Sequence, residues 1–293
     1  MSSTWSLLAL DLDGTLLGPE GRISPANAGV MHQLRSRDLQ HVVATGRCRN
    51  ETLHVLGPLG YRGSLIGASG AIISDFETGR TLHRKTIPPS RVERIVEHVA
   101  SCGHLAHVLK DHDATGYDYL LVGTAELHPV SSWWLDSMDI SVRHVETIED
   151  DPDPGHTLRV GSIGEHERIE PVTDRITTDD ELDLNIQQWG AVTSSHAVGS
   201  PIHIVETFHP DAGKWNMILH HCTANGIDPD RVIAIGDGLN DIDMLSRASH
   251  GIAMANAEEP VRASADDIAG HHAEDGFAHA VRAMFELESS DAR

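Results

Sequence analysis

The chain has 293 residues and carries 44 acidic against 22 basic side chains, a formal net charge of −22. That balance argues against a nucleic-acid backbone or an anionic membrane as partner, since both reward clustered lysine and arginine. A hydrophobic fraction of 40% places the chain among globular proteins rather than disordered ones.

Only three of the 22 cations are lysines, Lys85, Lys110 and Lys214. Such an acid excess fits a salt-adapted host, a GC-rich genome or an ordinary acidic cytosolic protein. The three cysteines, Cys48, Cys102 and Cys222, are widely spaced and form no C-x-x-C pair, which fits a reducing compartment. No apolar run approaches the roughly 18 residues of a membrane span. The run at 6–10 is too short, and lacks the basic flank, for a signal peptide. A soluble, cytoplasmic protein is expected, and the sequence carries no oligomerisation signal.

In chain order, 7–10 reads as a buried strand, because a short continuous apolar run suits a parallel sheet covered on both faces. Ser24-Pro25 offers a helix start, 41–44 a second strand, 50–56 a short helix, and 64–66 and 71–74 further strands. This βα alternation predicts a parallel sheet with right-handed crossovers. Beyond about 81 the rhythm changes. A helix to 101 is followed by β-like runs at 105–109 and 117–122, a helix at 125–137, strands at 140–145 and 157–163, a helix at 165–176 and a strand at 184–188. Adjacent strands without a helix between them predict an α+β insert with an antiparallel sheet. The alternation then returns, with a strand at 202–206, a helix at 211–224, a strand at 232–235, a helix at 240–247, a strand at 252–254 and a last helix at 275–287. The fold class is α/β, with a core of 1–80 and 200–293 interrupted by an insert at 81–199.

The chemistry-bearing residues sit where strands run out, the place where open parallel sheets bind ligands. Asp11 and Asp13 follow the first strand, and Asp237 and Asp241 follow the strand at 232–235. If these strands are neighbours, the four carboxylates converge and need a compensating cation, and oxygen-only ligands shared with a phosphate suit Mg²⁺. Asp11 is then available as a nucleophile, and Asp13 as an acid that protonates a leaving oxygen and later activates water. Gly14 permits the tight turn, Thr45 supplies a hydroxyl and nearby backbone N–H groups, and Lys214 lies near a helix start where a phosphate-facing charge is useful. Any one of these fragments alone is ordinary turn chemistry; four in order are not.

Asp11-Leu12-Asp13-Gly14-Thr15, Ala44-Thr45-Gly46-Arg47, Lys214 and Gly236-Asp237-Gly238-Leu239-Asn240-Asp241 together resemble the four motifs of the haloacid dehalogenase superfamily. The Thr-Gly-Arg form of the second motif, the large insert and the late Glu274-Asp275-Gly276-Phe277 resemble its Cof-type phosphatases, which carry a C2-type cap. The resemblance implies a Rossmann-like core, with the insert as a substrate-selecting cap. It implies that Asp11 forms an aspartyl-phosphate, that Asp13 is the general acid/base, and that Thr45, Gly46, Lys214 and Asn240 serve phosphate. Asp11, Asp13 through its backbone carbonyl, Asp237 and Asp241 would hold Mg²⁺, and Arg47 and Ser69 would meet substrate. Two positions depart from the pattern. Ser69-Gly70-Ala71 stands where many relatives have Asn-Gly-Ala, and Trp215 follows the lysine where a small residue is usual.

The expected activity is Mg²⁺-dependent hydrolysis of a small phosphorylated metabolite, a sugar phosphate above all. The alternatives are a phosphotransferase or mutase of the same superfamily, or a non-catalytic protein that binds a phosphometabolite. The paired histidines His220-His221 and His271-His272 do not share a helix face and read as surface or packing residues. Trp133-Trp134 and Trp189 read as packing of the insert, with pocket lining the alternative.

Overall fold

The computed structural model describes residues 5–37, 39–190 and 200–287. The chain divides into two compact units, the first of 1–48, 52–77 and 213–293, the second of 49–51 and 78–212.

The first unit begins with β1 (Leu7–Leu10), α1 (Pro25–Ser36), β2 (His41–Ala44), α2 (Leu53–Leu56), β3 (Ser64–Gly67) and β4 (Ile72–Asp75). The start of α1 follows the expected chemistry: Ser24 accepts from the Asn27 N–H, and Pro25 occupies the first turn. The second unit then supplies β5 (Thr81–Arg84), α3 (Pro89–Ser101), β6 (Ala106–Lys110), α4 (His112–Thr115), β7 (Tyr119–Val122), α5 (Pro129–Ser137), β8 (Val142–Val145), β9 (Thr157–Glu165), α6 (His166–Thr177), β10 (Asn185–Gly190) and β11 (Ile202–Phe208). The first unit resumes with α7 (Lys214–Asn225), β12 (Val232–Gly236), α8 (Ile242–Arg247), β13 (His250–Ala253), α9 (Glu259–Ala263), β14 (Asp267–Ile268) and α10 (Gly276–Phe285).

The sheet of the first unit runs β14-β13-β12-β1-β2-β3-β4. Every pair is parallel except the β3–β4 hairpin. Apolar clusters cover both faces, one around Leu8, Leu10, Val30, Leu34 and Phe277, the other around Ala9, Val42, Trp215, Ile218 and Val261. That double burial is why its strands are continuous apolar runs.

The sheet of the second unit runs β10-β11-β9-β6-β7-β8. It is antiparallel except for β7–β8, where α5 provides the crossover that parallel pairing requires. Helices α3 and α6 bury one face around Ile95, Val99, Val108, Val160, Ile169 and Val205.

One expectation is corrected here. The return to the core was expected at 200, yet β11 pairs with β9 and β10, so the second unit extends to Ala212. An apolar run at 202–206 does not disclose which sheet it joins. The expected end of the insert, 199, lies outside the described residues. The helix expected at 211–224 begins at Lys214.

Candidate active site

Strands β1 and β12 pair in parallel with Leu10 opposite Ile235, so the residues that follow them leave the sheet side by side. The Asp11 N–H donates to the Ile235 carbonyl at 2.9 Å. The chain then turns at Gly14, whose φ is +73°, and a Cβ there would stand 2.1 Å from Asp237 Oδ2. Only glycine admits both that backbone conformation and that approach. Thr15 Oγ1 donates to Asp237 Oδ1 at 2.9 Å. Asp241 is fully buried, and its Oδ2 accepts from the N–H groups of Asp237 and Gly238 at 3.0 and 2.8 Å.

Lys214 is the first residue of α7, and the loop after β3 sets where that helix starts. Gly70, at φ +88°, comes so close that a Cβ would lie 2.2 Å from the Gly213 carbonyl carbon, and the Gly213 N–H donates to the Gly70 carbonyl at 3.2 Å. Ala68 and Ser69 precede it at φ +49° and +52°, a left-handed conformation that costs non-glycine residues energy and that asparagine tolerates better than serine. Lys214 Nζ donates to Asp11 Oδ1 at 2.6 Å and to Asp241 Oδ1 at 2.5 Å, with the side chain almost wholly buried.

Burial pushes the Asp11 carboxyl well above its ordinary pKa, opposed by Lys214 and reinforced by Asp241 and Asp237. Burial and then Asp241 push Asp237 up to about 7. Burial also works against the Lys214 charge, but Asp11 and Asp241 outweigh it and hold the ammonium above its usual range. Asp11, Asp237 and Asp241 each present an oxygen within 4.8 Å of the others. Three carboxylates against one ammonium leave two negative charges in excess, which a divalent cation would cancel. An all-oxygen donor set is the chemistry of a hard ion, so these residues fit a divalent metal.

The remaining predicted residues lie around this centre. Thr45, fully buried at the end of β2, accepts from the Arg47 N–H at 3.2 Å. Asn240 Nδ2 donates to Ser69 Oγ at 3.4 Å, and the Cα of Gly46 faces both side chains. Arg47, expected to meet substrate, contacts both oxygens of Asp13, through Nε at 2.8 Å and Nη2 at 2.5 Å. The Asp13 side chain is not among the clustered carboxylates. Trp215 is a core residue, 4% exposed, under Arg247. Trp134 donates its indole N–H to Glu51 at 2.8 Å, while Trp133 is half exposed beside it.

Sequence reasoning missed Asn256, which follows β13 and donates to Asp237 Oδ2 and to the Gly14 carbonyl, each at 2.9 Å. The usable signal was positional, because β13 pairs with β12 in parallel and its end falls at the same edge of the sheet. Sequence reasoning also missed a buried polar network in the second unit. Arg159 joins Glu206 at 2.7 Å and donates to the Tyr119 hydroxyl, which donates to Glu51 at 3.1 Å.

A parallel sheet with paired carboxylates at its strand ends, a buried lysine and an inserted α+β unit defines an α/β protein with a carboxylate-lined site. The family model of haloacid dehalogenase-like hydrolases matches residues 8–281, and the chain belongs to that family of enzymes. It is 26% identical to the phosphatase YwpJ of Bacillus subtilis over 295 residues, 94% of this chain and 98% of the relative. Among solved structures it resembles a haloacid dehalogenase-like hydrolase from Bacteroides thetaiotaomicron, with TM-score 0.77, 23% identity and coverage of 96% and 100% of the two chains. It also resembles the subclass IIB sugar phosphatase BT4131, with TM-score 0.75, 22% identity and the same coverage. No helix among the described residues is long and apolar enough to cross a membrane.

Proposed function

We propose that the chain is a Mg²⁺-dependent phosphomonoesterase that acts on a small phosphorylated metabolite, a sugar phosphate, through an aspartyl-phosphate on Asp11. The observation that carries this reading is the buried Lys214 ammonium held between Asp11 and Asp241, with Asp237 beside them. A buried nucleophilic carboxylate next to a fixed cation is what attack on an anionic phosphate needs. The family and the named activities of YwpJ and BT4131 support the same class.

Asp11, Asp237 and Asp241, with the Asp13 carbonyl, would hold the metal. When bound, it supplies the positive charge that lets a carboxylate approach a phosphate dianion. The free oxygen of Asp11 attacks phosphorus, the P–O bond to the metabolite breaks, and Asp13 protonates the departing oxygen. Asp13 then takes a proton from the water that hydrolyses the acyl phosphate, returning Asp11 and releasing inorganic phosphate. Arg47 takes one lone-pair direction on each Asp13 oxygen, which leaves the other direction of each for proton exchange. Thr45, Gly46, Ser69 and Asn240 supply hydroxyl, backbone and amide groups for phosphate and substrate. Selectivity is assigned to the second unit, and the three free cysteines support a cytoplasmic location.

The test is phosphate release from an aryl phosphate and from a panel of sugar phosphates, with Mg²⁺ and with EDTA. The wild-type chain should turn over and lose activity in EDTA. Asp11→Asn should lower kcat by roughly 10⁴-fold or more, as removal of a nucleophile does. Near-normal Mg²⁺-dependent turnover by this variant would overturn the assignment. Transfer of the phosphoryl group to an added sugar, rather than to water, would make the enzyme a phosphotransferase.

A further inference from the structure

Asn256 belongs to none of the four motifs, yet its carboxamide ties together three parts of the site. Its Nδ2 donates to Asp237 Oδ2 and to the Gly14 carbonyl, each at 2.9 Å, and its Oδ1 accepts from the His272 N–H at 3.0 Å. A backbone N–H only donates, so the amide oxygen must face His272, and the NH₂ group must face the two acceptors. The orientation is therefore forced by its surroundings. His272 is anchored in turn, its ring Nδ1 lying 3.1 Å from the Leu17 carbonyl at the end of the loop that carries Asp13 and Gly14.

Asp237 needs this support more than its neighbours do. Asp11 and Asp241 are each fixed by Lys214, and Asp241 further by two backbone N–H groups. Asp237 is held through one oxygen by Thr15 and through the other by Asn256. Each oxygen keeps one lone-pair direction free, and the two donors decide where those directions point.

We propose that Asn256 is a positioning residue that orients Asp237 and the Gly14 turn for the divalent cation. The inference rests on the reading of Asp11, Asp237 and Asp241 as a metal centre. Partners that orient a ligand in this way typically contribute about 10–100-fold to metal affinity.

The test is direct Mn²⁺ binding to the full chain without substrate, followed by electron paramagnetic resonance, together with thermal unfolding in EDTA. Asn256→Ala should raise the Mn²⁺ dissociation constant by about 10–100-fold while unfolding in EDTA close to wild type. Asn256→Ser, which keeps one short donor, should fall between the two and supplies the reading if the alanine variant fails to fold. At saturating Mg²⁺ the kcat of the variants should recover toward wild type, which a general loss of structure would not allow. Unchanged Mn²⁺ affinity in a folded variant overturns the role of Asn256 alone. A wild-type chain that binds neither Mn²⁺ nor Mg²⁺ overturns the metal centre, and this inference with it.

Discussion

The two units bury charge in different proportions. In the first, three carboxylates surround one ammonium, and burial, with the neighbouring carboxylates adding, pushes Asp11 and Asp237 above their ordinary pKa values. In the second, Arg159 pairs with Glu206 at 2.7 Å, yet burial, with Glu51 adding, still pushes Glu206 above its ordinary pKa against that pairing, and tyrosine and indole groups donate to Glu51. A buried carboxylate in a direct ion pair offsets most of its own charge, whereas three carboxylates on one ammonium leave a demand for a cation from solution. The difference supports the proposal that the first holds the reactive centre.

This contrast breaks most sharply at Lys214. Lys214→Met removes the only cation hydrogen-bonded to Asp11 and Asp241 among the described residues, and should lower kcat on an aryl phosphate by roughly 10²–10³-fold or more, the scale of losing one preorganised electrostatic contact. A kcat near wild type in steady-state assays would show that the lysine only packs. Glu206→Gln should act on stability instead. It removes the carboxylate charge paired with the Arg159 guanidinium, 8% exposed, and breaking a buried pair costs about 3–5 kcal/mol. Denaturant unfolding should report a loss of that order. A change below about 1 kcal/mol, the range of exposed ion pairs, would mean that the pair is solvated and the comparison false.

The same contrast explains what could be read from the sequence. Asp11, Asp13, Asp237 and Asp241 are legible because each follows a buried parallel strand, where local pattern and sheet topology together decide which edge a side chain reaches. Lys214 is legible as a rare lysine near a helix start and through the resemblance, but nothing local says that Gly70 docks on Gly213. Asn256 reads as a loop amide until β13 is known to neighbour β12. The Arg159–Glu206 pair was out of reach. Its members lie on β9 and β11, separated by α6 and β10, and their meeting depends on a register that places Glu206 opposite Gly161. The misplaced end of the insert has the same origin, because strand membership is a long-range property. The Arg47–Asp13 contact was not legible, since the identity of that partner depends on side-chain reach that motif spacing does not encode.

The mildest probe lies on β6. His107 faces Gly161 across β9, which in turn faces Glu206, and its Nε2 is buried with no hydrogen-bond partner. Burial, with the Arg159 charge adding, depresses its pKa from 6.5 to about 4. Between those values the unfolded chain binds more protons than the folded one, so stability rises with pH across that window and is lost as pH falls from 6.5 toward 4. The full contribution is on the order of 3 kcal/mol. Replacing the ring with an apolar residue of similar size, His107→Leu, removes both the unpaired nitrogen and the titration. Unfolding free energies measured from pH 7 to 4 should therefore fall less steeply in the variant than in wild type. Parallel pH profiles would show that the imidazole is hydrated in the native state, and that the second unit is less completely dried and matched than the comparison with the carboxylate centre requires.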